Sequence, residues 1–207
     1  MKNCIVILNL SNFTGTLNHG LELQTGMYKK LRADYKKMLQ YIVNDRNLLG
    51  AFVLSQKDLS AKMALNQTKK EENEKFLQTL KRFGWTPITL EYYGNELTSQ
   101  KLLDSLWEAT NPLLVEDNEW KYDPSDVDII FINGSVSWYD IIVAYYNAQF
   151  SVEVSFLSTA TNKHLKSDFP FLDITDFLIQ STDEIEQKKQ QKIKTKSNSN
   201  GVVNQCN

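Results

Sequence analysis

The sequence predicts an α/β fold: a doubly wound, mostly parallel sheet of five or six strands flanked by helices. Three observations carry this. Apolar runs of strand length alternate with amphipathic stretches of helical period, the pattern of successive parallel strands joined by right-handed crossovers. Cys4–Leu8 is an unbroken apolar run rich in Ile and Val, as expected of a central strand buried on both faces, and Val127–Ile132 is another strand. Both end abruptly in small polar residues, Asn9-Leu10-Ser11-Asn12 and Asn133-Gly134-Ser135-Val136-Ser137-Trp138. In open α/β sheets the functional crevice lies at the carboxyl ends of the strands, so these two ends are expected to face each other across it.

The elements follow in order. After the first strand, Thr14 to Gly20 is rich in Gly, Asn and Thr and reads as a loop. Met27 to Asn44 carries Met27, Leu31, Tyr35, Met38, Leu39 and Ile42 at helical spacing. Lys29, Lys30, Arg32, Lys36 and Lys37 fill its opposite face, which reads as solvated. Leu49 to Leu54 is a second strand, and Lys57 to Gln67 is polar and irregular. Glu71 to Phe83 is an amphipathic helix with Phe76, Leu77, Leu80 and Phe83 on one side and Gly84 as its stop. Thr86 to Tyr93 is a third strand, with Pro87 tolerable at its start. Ser99 to Thr110 is a helix capped by Thr98 or Ser99 and ended by Pro112. Glu116 to Ser125, acidic and aromatic, reads as a surface loop before the fourth strand. Ser137 to Gln149 is a helix with Ile141, Ile142, Ala144 and Tyr145 inward. Ser151 to Leu157 is a fifth strand, Asn162 to Phe171 a loop or short helix, and Leu172 to Ile179 a last short strand.

From Asp183 the composition changes to Lys, Gln, Asn and Ser with few large apolar groups, too little to order itself by burial. The expected division is a domain over 1–182 and a tail over 183–207, whose Lys188, Lys189, Lys192, Lys194 and Lys196 form a small basic run. Across the chain, 42% apolar and 23% charged residues fit an ordinary globular protein, and a net charge of −2 gives no basic field for nucleic acid. Cys4 and Cys206 stand at opposite ends of the sequence and the histidines are only His19 and His164, which argues against a disulfide or a zinc site and for a reducing, intracellular and most simply cytoplasmic setting. No apolar run approaches the roughly 20 residues of a membrane span. The Cys4–Leu8 run is too short for a signal peptide and is interrupted by Asn9.

From Lys2 to Gln180 this arrangement resembles the NYN family, the LabA-like branch of the PIN-like ribonucleases, whose fold is Rossmann-like. Members open on a strand ending in an Asp-Gly-Ser-Asn-Leu-like signature, where this chain has Asn9-Leu10-Ser11-Asn12-Phe13. A helix ending in Gly and a strand follow, as in Phe76–Gly84 and Thr86–Tyr93. The family's Lys-x-x-Asp is similar to Lys101-Leu102-Leu103-Asp104. Its Ser-Gly-Asp-x-Asp-Phe after the fourth strand corresponds to Asn133-Gly134-Ser135-Val136-Ser137-Trp138. Its closing Leu-x-x-x-Asp-x-Phe-Ile resembles Leu172–Ile179.

The resemblance implies a nuclease site of about four carboxylates holding Mg²⁺ or Mn²⁺, which activates water and stabilises the charge developing on phosphorus. In this chain the matched positions read Asn9, Asp104, Ser135 and Ser137, so only Asp104 stays acidic. Neutral oxygens and one carboxylate make a poor hard-cation site. Asp126 and Asp128 belong to the amino end of the fourth strand, roughly 15–20 Å from the crevice. Asp140, three residues after Ser137, is the available substitute acid. Ser11, Asn12, Asn133 and Gly134 are the candidate binding residues, the first two through Asx-type ties and the last as an anion-binding turn. The leading expectation is a degenerate NYN/PIN-like domain without cofactor, a non-cleaving RNA-binding or structural subunit of a larger assembly with protein or RNA partners and no membrane. Trp120, Tyr122 and the Tyr145–Tyr146 pair are its candidate contact surfaces. Two alternatives stand beside it: a weakly active Mg²⁺- or Mn²⁺-dependent ribonuclease using Asp104 and Asp140, and a flavodoxin-like nucleotide-binding module.

Overall fold

The chain enters its sheet almost at once. The computed structural model describes residues 1–15, 17, 31–58, 67–93, 98–133, 146–156, 171–174 and 177–181. Asn3–Asn9 form β1, and residues 10–15 are helical (α1). There follow β2 (Leu31–Ala33), α2 (Tyr35–Val43), β3 (Asn47–Asp58), α3 (Gln67–Arg82), β4 (Thr86–Tyr92) and α4 (Ser99–Leu114). A small hairpin of β5 (Val115–Glu116) and β6 (Glu119–Trp120) and a 3₁₀ turn (Pro124–Asp126) lead into β7 (Val127–Asn133). β8 (Ser151–Phe156), β9 (Phe171–Asp173) and β10 (Leu178–Ser181) complete the described elements.

Six strands make one parallel sheet in the order β4-β3-β1-β7-β8-β9. Numbered by their appearance in that sheet, the order is 3-2-1-4-5-6. The winding therefore reverses between β1 and β7, the topological switch point of the Rossmann arrangement rather than that of the flavodoxin order. β1 is central, and Cys4 to Leu8 are buried from both sides, which is why the run is apolar without alternation. Each Ile, Val or Leu so buried is worth roughly 1.5–3 kcal/mol. Cys4, Val6 and Leu8 pack with Met38, Leu39 and Ile42 of α2 and Leu80 of α3. Ile5 and Ile7 pack on the other face with Leu102, Leu103 and Leu106 of α4 and with Tyr146 and Phe150. Helices thus cover both faces, as the alternation of elements predicts.

Glycine marks a close approach at Gly50, where a Cβ would lie 2.7 Å from Leu113 Cδ1, so the end of α4 presses on β3. Gly84 has φ +93°, the left-handed turn that ends α3 where the sequence places its stop. Thr98 caps α4 by accepting from Lys101 N–H, one of the two expected caps. Pro87 lies on β4, an edge strand, where a missing N–H is tolerated.

Several expectations are corrected. The helix read over 27–44 begins only at Tyr35, because Leu31–Ala33 pair antiparallel with β10 and Asp34 caps α2 on Lys37 N–H. A strand partner some 145 residues away overrides the local period. β3 runs to Asp58, past the expected Leu54. Residues 14 and 15, expected in a loop, continue the turn after β1. Pro112 does not end α4, which continues to Leu114. Its last turn is held by the burial of Leu114 and by Lys121 Nζ donating to the Pro112 carbonyl at 3.0 Å. The acidic stretch after it is a hairpin, with Asp117 (φ +50°) and Asn118 (φ +65°) supplying the positive φ pair of a type I′ turn. The segment over 172–179 divides between β9 and β10. Tyr146 is no contact surface: it is fully buried, and its hydroxyl lies 3.2 Å from Thr110 Oγ1. Cys4 is a buried core cysteine, as expected of its strand. The tail 183–207, Cys206, His19, His164 and Tyr145 lie outside the described residues. Among the described residues no helix is long and apolar enough to cross a membrane.

Candidate functional site

The carboxyl ends of β1 and β7 lie side by side. Their last registered pair is Leu8 with Ile132, and each strand then carries one more residue, Asn9 and Asn133. Adjacent strands are about 4.8 Å apart, so the two asparagine positions are neighbours at the switch point. The juxtaposition expected from the two polar strand ends is present.

Asn9 is 7% exposed. Its Oδ1 accepts from the Asn12 N–H at 3.4 Å, a long contact that ties the first turn of α1 back to the strand. The tie therefore runs from the Asn9 side chain to the Asn12 backbone. Asn12 is half-buried and Ser11 is exposed. Thr14 Oγ1 donates to the Leu10 carbonyl at 2.8 Å and completes the turn. Asn133 ends β7 opposite Phe156 of β8. Gly134, Ser135, Ser137 and Asp140 lie outside the described residues.

Asp104 sits on the exposed side of α4, opposite the buried Leu102, Leu103 and Leu106. Its Oδ1 accepts from Gln100 Nε2 at 2.7 Å, one helical turn back. Lys101 of the same motif moors the start of α4 by donating to the Glu91 carbonyl of β4 at 2.6 Å. β4 is two strands from β1, so this helix start belongs to the edge of the sheet. Among the described residues no three His, Cys, Asp or Glu side chains gather as a metal site.

The charged cluster lies at the other end of the sheet. Asp128, opposite Cys4 in register, has a side chain only 4% exposed. Its Oδ1 takes Lys2 Nζ at 3.0 Å and its Oδ2 takes Arg46 Nε at 2.9 Å. Arg46 also bonds Glu153 Oε1 at 2.5 Å and the Ile42 carbonyl at 3.1 Å. This places Asp128 where the strand arithmetic puts it, five residues and roughly 17 Å from Asn133. The arithmetic gave no sign of its partners. Lys2 and Arg46, and the Glu153 that Arg46 also holds, come from three separate segments, and the only local signal is an Arg in the tight turn before β3. Burial pushes the neighbouring Cys4 thiol up to about 11, against the lowering influence of Arg46. Burial likewise raises Tyr35, whose ring meets Phe13 and Phe76 edge-on.

Trp120 is 42% exposed on the hairpin, its ring edge-on to Trp107 and Phe150. Tyr122 is half-buried against the α4-side core.

No protein-family model matches the chain, and no curated protein matches it significantly. Among solved structures, the crystal structure of a protein of unknown function, VPA0982 from Vibrio parahaemolyticus RIMD 2210633, is similar to it. The TM-score is 0.52 over 86% of this chain and 96% of that one, at 13% identity. A likeness at that identity is one of fold: an α/β layering around a mostly parallel sheet.

Proposed function

We propose that this chain is a PIN/NYN-like domain without metal-dependent nuclease chemistry, and that it serves as a non-cleaving RNA-binding or structural subunit of a larger assembly. The observation that carries the reading is Asn9. Its position, at the end of the central strand beside the switch point, is where that chemistry requires an aspartate. Here a buried carboxamide stands instead, with its oxygen engaged on the Asn12 N–H. A carboxamide supplies no charge to a hard cation. Asp104 is exposed and bonded within its own helix. The net charge of −2 favours a protein partner over free RNA.

The test is calorimetric titration of the full chain with Mn²⁺ and Mg²⁺, alongside cleavage of a generic single-stranded RNA. The reading expects neither metal binding in the micromolar range nor cleavage. RNA affinity that falls with salt would then mark the RNA-binding form of the reading, and its absence with stable co-purifying proteins the structural form. Divalent-dependent cleavage abolished by Asp104→Asn would overturn it in favour of a working ribonuclease.

A further inference from the structure

We propose that β4, the edge strand of the sheet, pairs antiparallel with β4 of a second copy of this chain about a two-fold axis at Thr89. Among the described residues β4 has a neighbour on one side only, β3. Successive residues of a strand turn their N–H and C=O groups to alternate sides. Proline is tolerated in a sheet where its nitrogen faces away from the ladder, so Pro87, and with it Thr89 and Glu91, present their backbone groups outward. Lys101 Nζ agrees with this, since it reaches the Glu91 carbonyl at 2.6 Å from the start of α4. The outer edge therefore has a missing donor at Pro87 and an engaged acceptor at Glu91, with Thr89 midway between them.

Antiparallel pairing centred on Thr89 makes the two defects coincide. Thr89 meets Thr89 of the second copy and the two exchange both N–H···O bonds, a favourable cross-strand pair of an exposed residue. Pro87 then falls opposite Glu91 of the second copy. The bond that proline cannot donate is the one whose acceptor Lys101 already holds. In other registers the two defects cost separately, so the groups that blunt this edge also select one pairing. No two like charges of the strand face each other, because Glu91 is its only charged residue. The surroundings fit the same two-fold. Phe83 and Tyr93, exposed aromatics, stand just before and just after β4, and the axis brings Tyr93 of one copy beside the turn that carries Phe83 in the other. Ile88 and Leu90 belong to the α4-side core, so Thr89 and Glu91 lie on the α3 face by alternation. A continuous sheet sets α3 antiparallel beside its copy on that face, roughly 10 Å away. The exposed Glu72 and Glu74 of α3 then lie toward the Lys81 and Arg82 of the other helix. β4 is two strands from β1, so the contact leaves the switch point open and stands or falls independently of the reading proposed for the crevice.

Sedimentation velocity of the full chain tests this. One strand and one helix from each copy make a small interface, so the chain should pass from monomer to dimer between about 1 and 500 µM. Thr89→Pro removes the central donor from both copies and leaves the β3 ladder its bonds, and it should weaken the dimer at least about ten-fold. Two charge variants, Glu72→Lys with Glu74→Lys and Lys81→Glu with Arg82→Glu, should each dimerise more weakly at low salt. Their equimolar mixture should regain the parent affinity, because acid again meets base across the axis. Amide exchange gives a second reading: the Thr89 N–H should exchange more slowly as concentration rises. A chain still monomeric at the highest concentration overturns the proposal. So does a dimer that a folded Thr89→Pro variant leaves unchanged, which would place the contact elsewhere. A mixture no tighter than either charge variant alone counts against the antiparallel helices and the register with them. Thr89 protection that is the same at every concentration also overturns it, since the chain itself would then cover the edge.

Discussion

The two ends of the sheet solve the burial of polar groups in opposite ways. At the amino end a carboxylate, Asp128, is almost wholly buried and is held by Lys2 and Arg46, with Glu153 balancing the arginine. At the carboxyl end Asn9 is nearly as buried but uncharged, and among the described residues its side chain accepts one long hydrogen bond, from the Asn12 N–H. Charge is thus gathered where it staples the chain start, the turn before β3 and two strand starts together. Among the described residues it is missing from the end of the central strand, the end where α/β sheets do their chemistry. The contrast marks the amino end as the one built for stability.

The largest effect expected from breaking this contrast is at Asp128. Asp128→Asn keeps the shape but leaves Arg46 and Lys2 without their shared counter-charge. Removing one partner of a buried pair costs about 3–5 kcal/mol. Lys2 is half exposed and Arg46 keeps Glu153, so the expected loss is about 3 kcal/mol. Urea unfolding checks it, with a lower midpoint and an unchanged slope. A loss below about 1 kcal/mol would mean that the network is decorative.

The same end sets an alkaline limit. The folded Cys4 thiol stays neutral up to about 11, whereas in the unfolded chain it ionises near 9. Tyr35 is shifted in the same direction. Between pH 9 and 11 the unfolded state therefore binds fewer protons than the folded one, and stability falls as pH rises, by about 1.4 kcal/mol per unit for one proton. The stabilisation is fully present below pH 9. Unfolding curves across that window should show the slope, and Cys4→Ala should flatten it to what Tyr35 leaves above pH 10.

Much of this frame was legible in the sequence. The apolar run Cys4–Leu8 located the central strand, and the two runs that end in asparagine pointed to the meeting of Asn9 and Asn133 at the strand ends. What was not legible depends on contacts distant in sequence. Nothing near Leu31 says that it pairs with Ser181, so the helical period of 27–44 concealed a strand. Pro112 reads as a stop until the burial of Leu114 is known. Asp128 could be placed by counting residues, but its partners Lys2 and Arg46 lie 126 and 82 positions away, and Glu153, which Arg46 also holds, lies 107 positions from the arginine; they share no motif.

At the carboxyl end the informative change is Asn9→Asp, which restores the acid that the resemblance implies there. A carboxylate 7% exposed with one long N–H partner is poorly solvated, so the variant should lose about 1–2 kcal/mol at pH 7. Its folded pKa should rise above the unfolded value near 3.9, so the loss should disappear as pH falls below that value and be complete above the raised folded pKa. Denaturation at pH 3.5 and pH 7 separates this from a packing defect, which would persist at both. If millimolar Mn²⁺ restores the lost stability, an acid at position 9 suffices to hold a cation in spite of Ser135 and Ser137. If it does not, restoring this one acid is not enough.

The smallest effect is expected at the β5–β6 hairpin. Glu119 faces Glu116 across the ladder, and Lys121 Nζ lies 4.0 Å from Glu116, so a cation already answers part of the repulsion. Glu119→Gln should therefore gain no more than about 0.2–0.5 kcal/mol at low salt, and the gain should grow when Lys121 is replaced by Gln. The comparison is a double-mutant cycle read by unfolding at about 20 mM and 500 mM salt. A coupling of a few tenths of a kcal/mol that disappears at high salt ties Lys121 to the acidic pair, and equal gains in both backgrounds would mean that its bond to the Pro112 carbonyl, not the charge, is what it contributes.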